Sequence, residues 1–180
     1  MYTEIRVFEL MGHLLTYPGA DYADCLERCR ASLQLGDAEA DSLLTGFANE
    51  MQRLSLERVQ ELYTHTFDLN PLCSLEVGWQ LYGEEYTRGR FLVVMREQLR
   101  QHGIAESSEL PDHLTHVLSL LERLEPEEAR KFTEAFLIPA MKKMLAGFKA
   151  QDNPYRNLLM AIAKLVPSSQ EHGSAEAPHV

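Results

Sequence analysis

Apolar residues recur at intervals of three and four along most of the chain, and no useful length of it alternates with period two. Such spacing draws a single apolar stripe along a helix, so it predicts an all-α protein. Ile5, Phe8, Met11 and Leu15 predict a helix over 3–16, stopped by Tyr17-Pro18-Gly19. Tyr22, Leu26, Cys29 and Leu33 predict a second over 21–34, ended by Gly36. Leu43, Leu44, Phe47 and Met51 predict a third over about 37–53. Ser55 can cap a fourth helix that carries Val59, Leu62, Tyr63 and Phe67.

The stretch 68–82 breaks the rhythm. Asn70-Pro71 marks a turn, and Trp79 and Tyr82 lie among Gly78 and Gly83, close to Tyr86, which predicts an irregular surface lined with aromatics. A long helix then runs from Glu84 to His102 with Phe91, Met95 and Leu99 on one line and Gly103 at its end. Pro111 suits a first helical position, and Leu114, Val117, Leu118, Leu121 and Leu124 follow it. Pro126 opens another helix, with Glu127 and Glu128 at its positive end and Phe132, Phe136, Ala140 and Met144 inward; Pro139 should kink it. Asn153-Pro154 begins the last helix, which holds Leu158, Leu159, Ile162 and Leu165. About eight helices thus predict one compact bundle over residues 1–166. The polar, small residues of 167–180 predict a disordered tail.

Composition narrows the function classes. A chain of 180 residues builds one domain with a substantial core. Seventeen Lys and Arg against twenty-seven Asp and Glu leave a net charge of −10, which repels phosphate backbones and anionic lipid and suits a basic partner. No apolar run approaches the ~20 residues that cross a bilayer, and Met1 to Arg6 lacks the form of a secretory signal, so a cytoplasmic protein is expected. Cys25, Cys29 and Cys73, an odd count without a Cys-x-x-Cys, fit a reducing compartment and read as buried thiols rather than metal ligands.

Candidate chemistry gathers at Glu109-Leu110-Pro111-Asp112-His113, with His116 one helical turn on. His113 and His116 with either Asp112 or Glu109 could hold zinc for a metal-dependent hydrolase, but a ligand held from elsewhere in the chain and a general base beside the bound water are not evident. The helices lack the Glu-x-x-His pairs of a di-iron bundle, and no Gly-x-Ser-x-Gly elbow or phosphate-binding glycine loop is present. Two bland alternatives remain open. Asp112 can simply satisfy free N–H groups at a helix start, and Trp79, Tyr82 and Tyr86 can simply pack between helices. The functional alternative is a groove in which aromatic and leucine side chains take an apolar peptide while Glu84, Glu85, Glu109 and Asp112 pair with its basic residues.

Phe67-Asp68-Leu69-Asn70, Ser74-Leu75, Tyr82-Gly83-Glu84 with Arg88-Gly89, and Glu109-Leu110-Pro111-Asp112-His113-Leu114, in this order and spacing, resemble the NarJ-type assembly chaperones of respiratory nitrate reductase, within the wider TorD/DmsD group. The resemblance spans roughly residues 5–166. It departs at Tyr82, where the family tends to have histidine, and at Glu85-Tyr86, in place of a Ser-Arg pair. It implies an all-helical, non-catalytic, TorD-like chaperone without a cofactor of its own. Its partner would be the apo catalytic subunit of a DMSO-reductase-family molybdoenzyme, whose twin-arginine-like N-terminal segment it holds until the molybdenum cofactor is inserted. Proteins of cofactor insertion would be further partners, and the client would be nitrate reductase or a perchlorate, selenate, dimethyl sulfide or ethylbenzene relative. The resemblance places peptide binding at Glu109, Asp112 and His113 and at Tyr82, Glu84 and Arg88. Phe67, Trp79, Glu85 and His116 complete the expected site.

Overall fold

Helices cover most of the computed structural model, which describes residues 7–31, 36–149 and 152–167. The first four are α1 (Val7–His13), α2 (Tyr22–Ala31), α3 (Ala38–Met51) and α4 (Leu56–Tyr63). Next come α5 (Val77–Tyr82), α6 (Tyr86–Gln101) and α7 (Leu114–Leu121). The chain closes with α8 (Pro126–Phe132), α9 (Ile138–Ala146) and α10 (Pro154–Leu165). Ile5, Leu33 and the expected tail from Ser168 onward lie outside the described residues.

Local chemistry explains several helix starts. The Ser55 hydroxyl accepts the Arg58 N–H at 3.4 Å, and Asn153 accepts the Tyr155 N–H at 3.0 Å with Pro154 in the first turn. Asp37 caps α3 by accepting the Glu39 and Ala40 N–H groups at 2.8 and 2.9 Å. Gly83, at a φ of +58°, turns the chain sharply between α5 and α6.

Two features depart from the periodic pattern. The helix expected from Pro111 starts at Leu114 instead, with His113 as its N-cap. Long-range pairing causes the delay: the Val77 N–H donates to Asp112 O and the Leu114 N–H to Leu75 O, both at 2.9 Å. Pro111 and Asp112 form a tight turn closed by the His113 N–H to Leu110 O bond at 2.9 Å, and the isolated bridge between Glu76 and His113 holds His113 extended before the helix begins. In addition, Pro126 does open α8, but a π turn over Thr133–Leu137 separates it from α9. Pro139 has no N–H and its ring crowds the carbonyl four residues back; the wider turn relieves both problems.

The core has two aromatic chains. Tyr155 of α10 lies 5.7 Å from Phe47 of α3, 5.9 Å from Tyr63 of α4 and 4.9 Å from Phe67, ring centre to ring centre. Phe91 of α6 lies 5.7 Å from Tyr82 and 5.3 Å from Phe136, and so ties α5 and α6 to the Thr133–Leu137 turn. Cys25, Cys29 and Cys73 are buried thiols, none in a disulfide, and burial raises the pKa of each. Beside Tyr63 and Phe67 of the first chain the bundle leaves an opening.

Candidate functional site

That opening is a cavity of about 550 Å³. A second π turn, Thr64–Asp68, continues α4 and is closed by a Leu69 N–H to Thr64 O bond at 3.0 Å. It delivers Phe67 and Asp68 to one wall, next to Tyr63. Ser74, Leu75 and Glu76 enter from the bridged segment, Trp79 from α5 and Arg88 from α6. Glu109 and His113 complete the lining, and Tyr17, from the turn after α1, sets its ring 5.7 Å from that of Tyr63.

The bridge makes these walls possible. Asp112 is fully buried behind them, where its Oδ2 accepts the Gly78 N–H at 2.8 Å. A Cβ at Gly78 would come within 2.6 Å of that oxygen and 2.9 Å of Phe91, so only glycine lets α5 approach so closely. Burial raises the Asp112 pKa, and the Gly78 N–H and the Arg88 charge only partly oppose it. His113 pairs through Nδ1 with the Thr115 hydroxyl at 2.9 Å, and burial lowers its pKa to about 4. His116 is buried too: its Nε2 accepts the Ser107 N–H at 3.1 Å and its Nδ1 bonds Leu110 O at 2.9 Å. It thereby fixes the loop that presents Glu109, whose own N–H donates to the Ser107 hydroxyl at 3.1 Å.

At the cavity surface, Asp68, Glu76 and Glu109 supply three carboxyl groups. Burial, and then the nearby Asp112 and Glu109 charges, raise the Glu76 pKa, and the Ser74 hydroxyl donates to its carboxylate. Among the described residues of the lining the one lysine or arginine is Arg88, whose guanidinium lies 5.3 Å from the centre of the Trp79 ring. Trp79 is held in turn by its Nε1–H to Pro71 O bond at 3.0 Å. Carboxylates among the rings of Tyr17, Tyr63, Phe67 and Trp79 suit a guanidinium or ammonium group flanked by apolar side chains.

Of the residues expected from sequence, Phe67, Trp79, Arg88, Glu109 and His113 meet at this cavity. Asp112 and His116 lie behind it and position others. Tyr82 packs on Phe91, while Glu84 and Glu85 stand exposed at the turn into α6, outside the lining. Sequence reasoning passed over Glu76, Tyr17 and Tyr63. A carboxylate between the buried Leu75 and Val77 was the available clue to Glu76. Zinc at Asp112, His113 and His116 finds no support: both ring nitrogens of His116 are engaged, and among the described residues no three His, Cys, Asp or Glu side chains group to hold a metal.

A family model described as nitrate reductase delta subunit matches residues 30–161. The nitrate reductase molybdenum cofactor assembly chaperone NarJ of Escherichia coli (strain K12) is 28% identical over 161 residues, 87% of this chain and 67% of that one. A Bacillus subtilis (strain 168) protein, named as a candidate NarJ chaperone of the same kind, is 27% identical over 154 residues, 84% of this chain and 83% of that one. Among solved structures, a candidate redox enzyme maturation protein from Archaeoglobus fulgidus superposes with a TM-score of 0.62 at 20% identity, over 91% of this chain and 94% of that one. At that identity the likeness bears on the fold alone, an all-helical bundle as expected from sequence.

Proposed function

The chain belongs to the nitrate reductase delta subunit family, and on that premise we propose that it is a molybdenum cofactor assembly chaperone for a nitrate reductase or a close relative. In this reading it catalyses no reaction. It acts in the cytoplasm, where it binds the basic, twin-arginine-like N-terminal segment of the apo catalytic subunit until the molybdenum cofactor is in place. Among the described residues no helix is long and apolar enough to cross a membrane.

The observation that supports this reading is the pairing of carboxylates with aromatic rings in one open cavity. An arginine entering it exchanges water for a carboxylate fork and a ring face, and its apolar neighbours cover Tyr63 and Phe67. Asp112 and His116 contribute as supports, because they set the positions of Gly78, Glu109 and the start of α7. Net charge adds long-range attraction for a basic segment, and that part weakens as salt rises.

Co-expression with the catalytic subunit tests the proposal. Affinity capture of the tagged chain should retrieve the full-length subunit lacking cofactor and lose it when the subunit's N-terminal segment is deleted. Equal capture of both forms would remove the segment from the mechanism.

A further inference from the structure

A second recess of about 310 Å³ lies across the segment 68–73 from the acidic cavity. The two share a wall. Phe67, Asp68 and Pro71 line the first, whereas His65, Leu69 and Asn70 line the second together with Phe148 and Lys149. On the crest between them stand Leu69, 66% exposed, and Leu72, 60% exposed.

This crest is rigid. Asn70 accepts the Leu72 N–H at 3.3 Å and donates to Cys73 Sγ at 3.1 Å, and Leu72 O accepts from Gln80 Nε2 at 3.1 Å. Leu72 also lies so close to Gly147 that a Cβ there would come within 2.5 Å of its carbonyl oxygen. Two leucines are therefore presented to water on a backbone that cannot easily fold them away.

The two recesses have opposite electrostatic character. Among the described residues no carboxylate lines the second, which carries the Lys149 ammonium and the His65 imidazole. Its Asn153 side chain is already committed: Nδ2 donates to Thr66 Oγ1 at 2.8 Å and Oδ1 caps α10. Lys149 and His65 thus remain to meet a ligand, and an anionic group is what they would meet well.

We propose that the client segment held in the acidic cavity continues over the Leu69–Leu72 crest and sets an acidic side chain against Lys149 in the second recess, a placement that rests on the reading of the acidic cavity given above. The recognised segment is then bipolar, with a basic part, an apolar middle that covers the two leucines, and a carboxylate beyond it. An extended chain advances about 3.3 Å per residue, so a short run of residues crosses the crest. The second recess would let the chaperone distinguish its own client from other basic N-termini, since a segment without the carboxylate gains only the first contact.

Fluorescence anisotropy with a labelled N-terminal peptide of the catalytic subunit tests this, alongside the same peptide with its acidic residues changed to amides. Lys149→Glu should weaken the native peptide about fivefold to tenfold and the amide peptide by less than about twofold, while Lys149→Arg retains the native affinity. Equal binding of the native peptide to wild type and Lys149→Glu, with affinity still lost in Glu76→Gln/Glu109→Gln, would overturn the second recess and leave the acidic cavity standing. No binding of either peptide to the wild-type chain would overturn both.

Discussion

The Asp112–His116 junction and the Glu84–Arg90 turn are both rich in charged and polar side chains, yet water reaches them very differently. At the junction Asp112, His113 and His116 are all buried; at the turn Glu84, Glu85 and Arg90 are exposed, and Arg88 alone reaches the cavity. A buried carboxylate or imidazole must find partners or shift its pKa, so each junction residue is locked to one geometry. An exposed glutamate keeps its hydration and its freedom, and it fixes nothing. The junction therefore builds the site, and the turn decorates its surroundings.

Substitutions should separate the two regions by size of effect. The largest is expected for Gly78→Ala, whose methyl would collide with Asp112 Oδ2 at 2.6 Å and with Phe91 at 2.9 Å; urea denaturation should show a loss of about 3 kcal/mol. Asp112→Ala, which strips the buried Gly78 N–H of its acceptor, should cost about 2 kcal/mol, and Asp112→Asn, which keeps an acceptor, clearly less. If alanine and asparagine prove equal, the bond to Gly78 is not what Asp112 supplies.

Acid should act through His113. Its folded pKa of about 4 lies below the ordinary value of 6.5, so between those limits the unfolded chain binds more protons. The stability this contributes is present above pH 6.5 and is lost as pH falls towards 4; at pH 5 the loss is about 2 kcal/mol. Asp112 and Glu76, whose pKa values are raised, act in the opposite sense and soften the loss as they take up protons in the folded state. Thermal melts at pH 7.5 and 5 should show a smaller acid-induced drop for His113→Gln than for wild type, whatever the variant's stability at neutral pH. The smallest effects belong to Glu84→Gln and Glu85→Gln, expected within about 0.5 kcal/mol of wild type by the same denaturation. A loss comparable to that of Asp112→Ala would erase the distinction between the regions.

Where chemistry is local, the sequence was enough to locate it. Ser55, Pro126 and Asn153-Pro154 begin helices as read, because caps and proline act within one turn. Pro111 misleads, since the pairing that delays α7 comes from residues 75–77, far away in the chain. Five of the residues singled out from sequence line the cavity, but spacing did not say which acids are in reach. Asp112 and Glu76 differ in exposure through long-range packing, which no spacing rule records. Both π turns also escaped notice, because an extra residue in a helical turn leaves the apolar stripe nearly unchanged.

Trp79, the only tryptophan in the chain, lines the acidic cavity and reports on it directly. Its emission should change saturably as a tryptophan-free N-terminal peptide of the catalytic subunit is added, with the same midpoint as the heat of binding, and the midpoint should rise in Glu76→Gln/Glu109→Gln. Heat of binding without any change in Trp79 emission would put the peptide elsewhere on the protein and contradict the account.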